Sequence, residues 1–111
     1  AGGQPCVIGK SFPFAAPCSA IVPASDARSA LDGSMSLSVN GKAHQSGRLD
    51  QMIWSLPEQI SILSRSFDLA AGDLIFTGTP AGVGPVAVGD VMVGQIDGIG
   101  RLEVEVIAAA T

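Results

Sequence analysis

Residues 72–84 read Gly72-Asp73-Leu74-Ile75-Phe76-Thr77-Gly78-Thr79-Pro80-Ala81-Gly82-Val83-Gly84. The apolar run Leu74-Ile75-Phe76 has the character of a short buried strand, entered through Asp73 as a turn-forming aspartate. From Gly78 to Gly84, three glycines and a proline crowd into seven residues and fix an irregular, tightly turned backbone. Two threonine hydroxyls and several backbone N–H groups are left to point into whatever that turn surrounds. Such N–H groups can cradle an anion as a nest. The Gly-Lys-Ser/Thr ending of a nucleotide loop is absent, and the spacing misses the Gly-x-Gly-x-x-Gly fingerprint. Taken by itself, the stretch reads first as a turn closing a strand.

Working outward, the chain is β-rich with one helix. Met35, Leu37 and Val39 alternate with Ser34, Ser36 and Ser38, the pattern of a half-buried strand. Asn40-Gly41 follows as a type I′ hairpin signal, with Lys42 to Gln45 as the return strand. Val88 to Ile96 and Arg101 to Ile107 form a second pair across Asp97-Gly98-Ile99-Gly100. In the latter strand Leu102, Val104 and Val106 face one way, and Arg101, Glu103 and Glu105 the other. The helix spans Leu56 to about Phe67, with Ser55 as N-cap, Pro57 in the first turn and Glu58 completing a capping box. Its apolar stripe is Leu56, Ile60, Leu63 and Phe67. The Pro- and Ala-rich stretch from Phe12 to Ala27 is an irregular connection.

Composition bounds the function. The 111 residues make one domain at most. A net charge of −4, with six scattered basic residues, argues against a nucleic-acid partner. No apolar run is long enough to span a bilayer and no secretory signal opens the chain, so a cytoplasmic setting is expected, with no membrane partner. In that setting Cys6 and Cys18 are expected to be reduced; two cysteines are also too few for a zinc ribbon. At 47% hydrophobic, 14% charged and a mean hydropathy of +0.43, the chain has more apolar surface than one small domain readily hides. Cover from a partner subunit, as in a homodimer, or from a further segment of the same protein is expected.

An ordered series of motifs runs through the chain. Gly9-Lys10-Ser11-Phe12 precedes Ala16-Pro17; Val39-Asn40-Gly41 stands with Gln45; then come the Thr-Gly-Thr-Pro-Ala-Gly-Val-Gly loop and Asp97-Gly98-Ile99-Gly100-Arg101-Leu102. From about Gly9 to Val106 this series resembles the C-terminal half of the fumarylacetoacetate hydrolase family, nearest the members that act on acylpyruvates. The resemblance implies a mainly β, α+β fold with one helix, a mixed β-sandwich or β-roll of that family's type. It also implies that residues 1–111 are the C-terminal part of one catalytic domain, whose N-terminal metal-ligand segment is not in the chain. The implied activity is metal-dependent hydrolysis of a carbon–carbon bond in a 3-acylpyruvate such as fumarylpyruvate. The implied cofactor is Mg²⁺ or Mn²⁺, held upstream, and the implied partner a small 2-oxo or dioxo acid. Decarboxylation of an oxaloacetate-type acid, an isomerisation, or a non-catalytic β-rich binding role are the alternatives.

Lys10 sits among Phe12, Phe14, Ala15 and Ala16, where a lysine is either paired for function or snorkels to water. The resemblance makes it the lysine that reaches the substrate's pyruvyl oxygens, a catalytic and substrate-binding residue. Thr79 on its own would satisfy its own turn; the resemblance places it against the substrate carboxylate, with Gly78 beside it. Thr77 is read as structural. The Glu103-Val104-Glu105 pair lies on the solvent side of its strand and is not read as a metal site; no metal ligand is assigned in this chain. His44 is read as a surface residue of the hairpin. Pro13, where the family usually has aspartate, and Cys18-Ser19-Ala20 depart from the family pattern and bear on substrate choice.

Overall fold

The computed structural model describes residues 10–27 and 32–109, so Cys6 and Gly9 lie outside it. Its bounded elements are strands β1 (Ser34–Val39), β2 (Lys42–Arg48), β3 (Val91–Ile96) and β4 (Gly100–Glu105), helix α1 (Leu56–Leu63), and a 3-10 turn at Leu49–Gln51. The strands form one antiparallel sheet in the order β2-β1-β3-β4. Among the described residues this is the expected mainly β architecture with one bounded helix.

The β1–β2 connection is the two-residue hairpin that Asn40-Gly41 predicts, with φ of 52° and 80° at its two central residues. Asn40 also does something the pattern does not show. Its Oδ1 accepts from the Val91 N–H at 2.9 Å and its Nδ2 donates to Asp90 Oδ1 at 2.8 Å, tying the β1–β2 hairpin to the start of β3. The turn at Asp90 is why β3 begins at Val91 and not at Val88: Ala87 N–H donates to Asp90 Oδ2 and Asp90 N–H to the Ala87 carbonyl. β4 ends at Glu105, and Val106 continues the pairing by exchanging hydrogen bonds with Gly89 and Asp90.

Other expectations are corrected. Leu74-Ile75-Phe76 is neither strand nor buried; Leu74 is 63% and Phe76 75% exposed. A strand needs a ladder partner, and the edges of this sheet are β2 and β4. Helix α1 stops at Leu63, followed by turns through Phe67, and its stripe is not buried: Leu56 and Leu63 are half-covered while Ile60 and Phe67 stand exposed. No described element packs over that face. Ser55 caps as expected, accepting from Glu58 N–H, but the capping box does not form: the Glu58 carboxylate accepts from the Ser55 hydroxyl at 2.9 Å instead of from the Ser55 backbone N–H.

Among the described residues only Ala27 and Val39 are buried hydrophobics. Met35, Leu37 and Val39 share one sheet face with their registered neighbours Ile96, Gly94 and Met92, and with Leu102 and Val104 beyond. That face is only partly covered.

The two Asp90 hydrogen bonds yield a pH prediction. The Ala87 N–H, first, and the Asn40 amide hold the Asp90 carboxyl below the usual carboxylate range. A depressed folded pKa gives stability that is present above the unfolded value, about 3.9, and is lost as pH falls through the folded one. Asp90→Asn is therefore expected to flatten the acid limb of a melting-temperature profile; an unchanged limb would show that Asp90 does not set it.

Candidate functional site

The register of the β1–β2 pair locates the site. Leu37 opposes Gln45 and Ser38 opposes Ala43, so His44 is an extra residue bulged out of the ladder. A bulge bends its strand and re-aims the neighbouring side chains. His44 itself is exposed, as expected. Its carbonyl abuts the position a Cβ on Gly82 would occupy, and Gly82 has a φ of +103°, so only glycine lets the 77–84 loop approach β2 here. Three residues on from His44, a Cβ built on Gly47 would lie 3.2 Å from Pro80 Cβ. Between these two close approaches, Gln45 Nε2 donates to Thr79 Oγ1 at 2.7 Å and to the Pro80 carbonyl at 2.8 Å. The loop is thus fastened to β2 at three nearby points.

Thr77, Gly78, Thr79 and Pro80 form one side of a groove of about 540 Å³. Met35 of β1, Ile96 of β3, and Met52, Ile53 and Trp54 from the connection to α1 supply its apolar lining, and Arg48 is also among the lining residues. Gln59 holds that connection, donating to the Trp54 carbonyl at 2.8 Å. Arg48 pairs with Asp50 at 3.2 Å, and this hydrogen-bonded carboxylate holds its guanidinium further above its usual pKa. Gly78, at a φ of +99°, has no heavy atom near the place of its missing Cβ.

Of the residues singled out in the sequence, Thr79 and Gly78 meet at the groove together with Thr77. Thr79 does not satisfy its own turn; its hydroxyl is engaged from another element. Lys10 is exposed and is not part of the groove lining. Gln45 carries no charge and lies 34 positions from Thr79, so only the three-dimensional pairing shows their link. The groove's Trp54 and Met52 fall outside the helix stripe; their apolar character marks them as needing cover, but no pattern in the sequence marks them as groove lining.

Glu103 and Glu105 stand on the exposed side of β4, and Glu103 pairs with Arg101 at 3.0 Å. Among the described residues no three of His, Cys, Asp or Glu converge as a metal site. A hard divalent cation needs several oxygen donors at one point, so these residues do not fit a metal centre.

A family model described as Fumarylacetoacetate (FAA) hydrolase C-terminal matches residues 2–107. The chain belongs to the fumarylacetoacetate hydrolase family. It is 40% identical over 104 residues to a fumarylpyruvate hydrolase of Ralstonia sp., covering 94% of this chain and 54% of that protein. It is 41% identical over 97 residues to the mitochondrial oxaloacetate tautomerase of Mus musculus, covering 87% of this chain and 44% of that protein. Among solved structures, the fumarylpyruvate hydrolase of Pseudomonas aeruginosa in complex with Mn²⁺ and pyruvate superposes with a TM-score of 0.90 at 47% identity, covering 96% of this chain and 46% of that one. The chain spans about half the length of the curated relatives it matches. No helix among its described residues is long and apolar enough to cross a membrane.

Proposed function

We propose that this chain is the C-terminal, substrate-carboxylate-binding part of an acylpyruvate hydrolase. The observation that carries the reading is the Thr77–Pro80 loop, pinned to β2 and presenting Thr79 beside an apolar groove. Support comes from the similarity to an enzyme bound to pyruvate, the product that hydrolysis of any 3-acylpyruvate shares. Water is consumed, the bond between C3 of the pyruvyl group and the acyl carbonyl breaks, and pyruvate and a carboxylic acid leave.

Thr79 donates its hydroxyl proton to the substrate carboxylate, and Gly78 keeps the backbone beside it free of side chain. That contact fixes the register of the pyruvyl end, so that the acyl group faces the chemistry. Lys10 brings positive charge to the oxygen of the developing pyruvate enolate. The cofactor, Mg²⁺ or Mn²⁺ on carboxylates outside the described residues, supplies Lewis-acid polarisation of the 2-oxo group when bound. The protein acts in the cytoplasm as a homodimer, whose interface covers part of the exposed Ile60, Phe67 and Phe76 surface.

A second reading, tautomerisation of an oxaloacetate-type acid, is favoured by the 41% identity to the mouse enzyme. The full-length protein with Mn²⁺, offered fumarylpyruvate, is expected to release pyruvate and to stop when the metal is chelated. Interconversion of oxaloacetate enol and keto forms without pyruvate release would support the second reading. Thr79→Val is expected to raise KM for the acylpyruvate about tenfold, the loss of one hydrogen bond to a charged group, while the metal-activation constant holds. A shifted metal constant at unchanged KM would reassign the hydroxyl.

A further inference from the structure

Gln45 holds the only amide that reaches the groove loop from β2, and its orientation follows from chemistry. The Pro80 carbonyl can only accept, so the group 2.8 Å from it is the amide nitrogen. That nitrogen has two protons and no lone pair to share. One proton goes to Pro80 and the other to Thr79 Oγ1 at 2.7 Å. The Thr79 oxygen is therefore an acceptor towards Gln45, and its own proton cannot point back at the amide. A free threonine hydroxyl rotates between donor and acceptor roles; this one is left to donate away from β2.

We propose that Gln45 is a positioning residue that sets the polarity of Thr79, committing its hydroxyl as a donor to an anionic carboxylate. The inference rests on the reading of Thr79 given above. The bulge at His44 is the device that allows it. Gln45 opposes Leu37 on the sheet face that also carries Met35 and Val39. A polar side chain on that half-buried face needs its own partners, and the loop supplies both. The Gly82 approach to His44 keeps the loop near enough for Gln45 to span the gap.

The test is a double-mutant cycle on the full-length enzyme, measuring KM and kcat for an acylpyruvate with Gln45→Leu, Thr79→Val and the pair. Gln45→Leu is expected to raise KM about tenfold with a smaller change in kcat, and the double variant to match Thr79→Val alone. If the two effects multiply to about a hundredfold, Gln45 acts independently of Thr79 and the proposal fails while the Thr79 reading stands. If Thr79→Val leaves KM unchanged, both fail. Gln45→Glu guards against loss of folding, since it keeps the shape but accepts where glutamine donates, turning the Thr79 proton inward. KM is expected to rise at least as far as in Gln45→Leu; a value near that of the wild type would mean that Gln45 only fills space.

Discussion

Lys10→Met in the full-length enzyme is expected to lower kcat by roughly 30- to 1,000-fold. That range corresponds to about 2–4 kcal/mol of transition-state stabilisation, the size of one well-placed donor at a developing oxyanion. The fold should survive, because Lys10 is exposed and makes no ion pair or hydrogen bond among the described residues. Methionine keeps the length and apolar stem, so the variant removes the charge and little else. Steady-state kinetics on an acylpyruvate, with circular dichroism as a folding control, decides it. A kcat within about threefold of the wild type would remove Lys10 from the chemistry.

Gly82→Ala is the second large effect. At a φ of +103° any side chain is strained, at a cost of about 1–3 kcal/mol. The added methyl would also meet the His44 carbonyl, which is backbone and cannot swing aside. The loop must therefore lift from β2, breaking the Gln45 bridge to Thr79 and Pro80. KM is expected to rise at least as much as in Thr79→Val, with a lower melting temperature. Gly84→Ala is the control: its φ is not in the left-handed region and nothing lies within 4 Å of the new methyl. If both variants behaved alike, the close approach at Gly82 would have no functional consequence.

The parts of the fold legible in the sequence are those set by local chemistry. Alternation gave β1 and β4, Asn40-Gly41 gave its hairpin, and Ser55 gave the start of α1. Leu74 to Phe76 misled because apolarity says that a segment seeks cover, not that a strand partner exists for it. The α1 stripe misled in the same way, since its face meets no described element. The bulge left no trace because Ala43-His44-Gln45-Ser46-Gly47 has no apolar alternation in which an extra residue would show. The Thr-Gly-Thr loop stood out through its glycines, yet its hold on Gln45 depends on a pairing that no local pattern encodes.

The central claim is that the Thr79 hydroxyl, held from behind by Gln45, receives the substrate carboxylate. A crystal structure of the full-length enzyme with Mn²⁺ and pyruvate tests it most directly. The expected result is a pyruvate carboxylate oxygen about 2.6–2.8 Å from Thr79 Oγ1, with Gln45 Nε2 still bonded to the same hydroxyl. Pyruvate bound with its carboxylate on other groups, and Thr79 turned away from it, would contradict the claim.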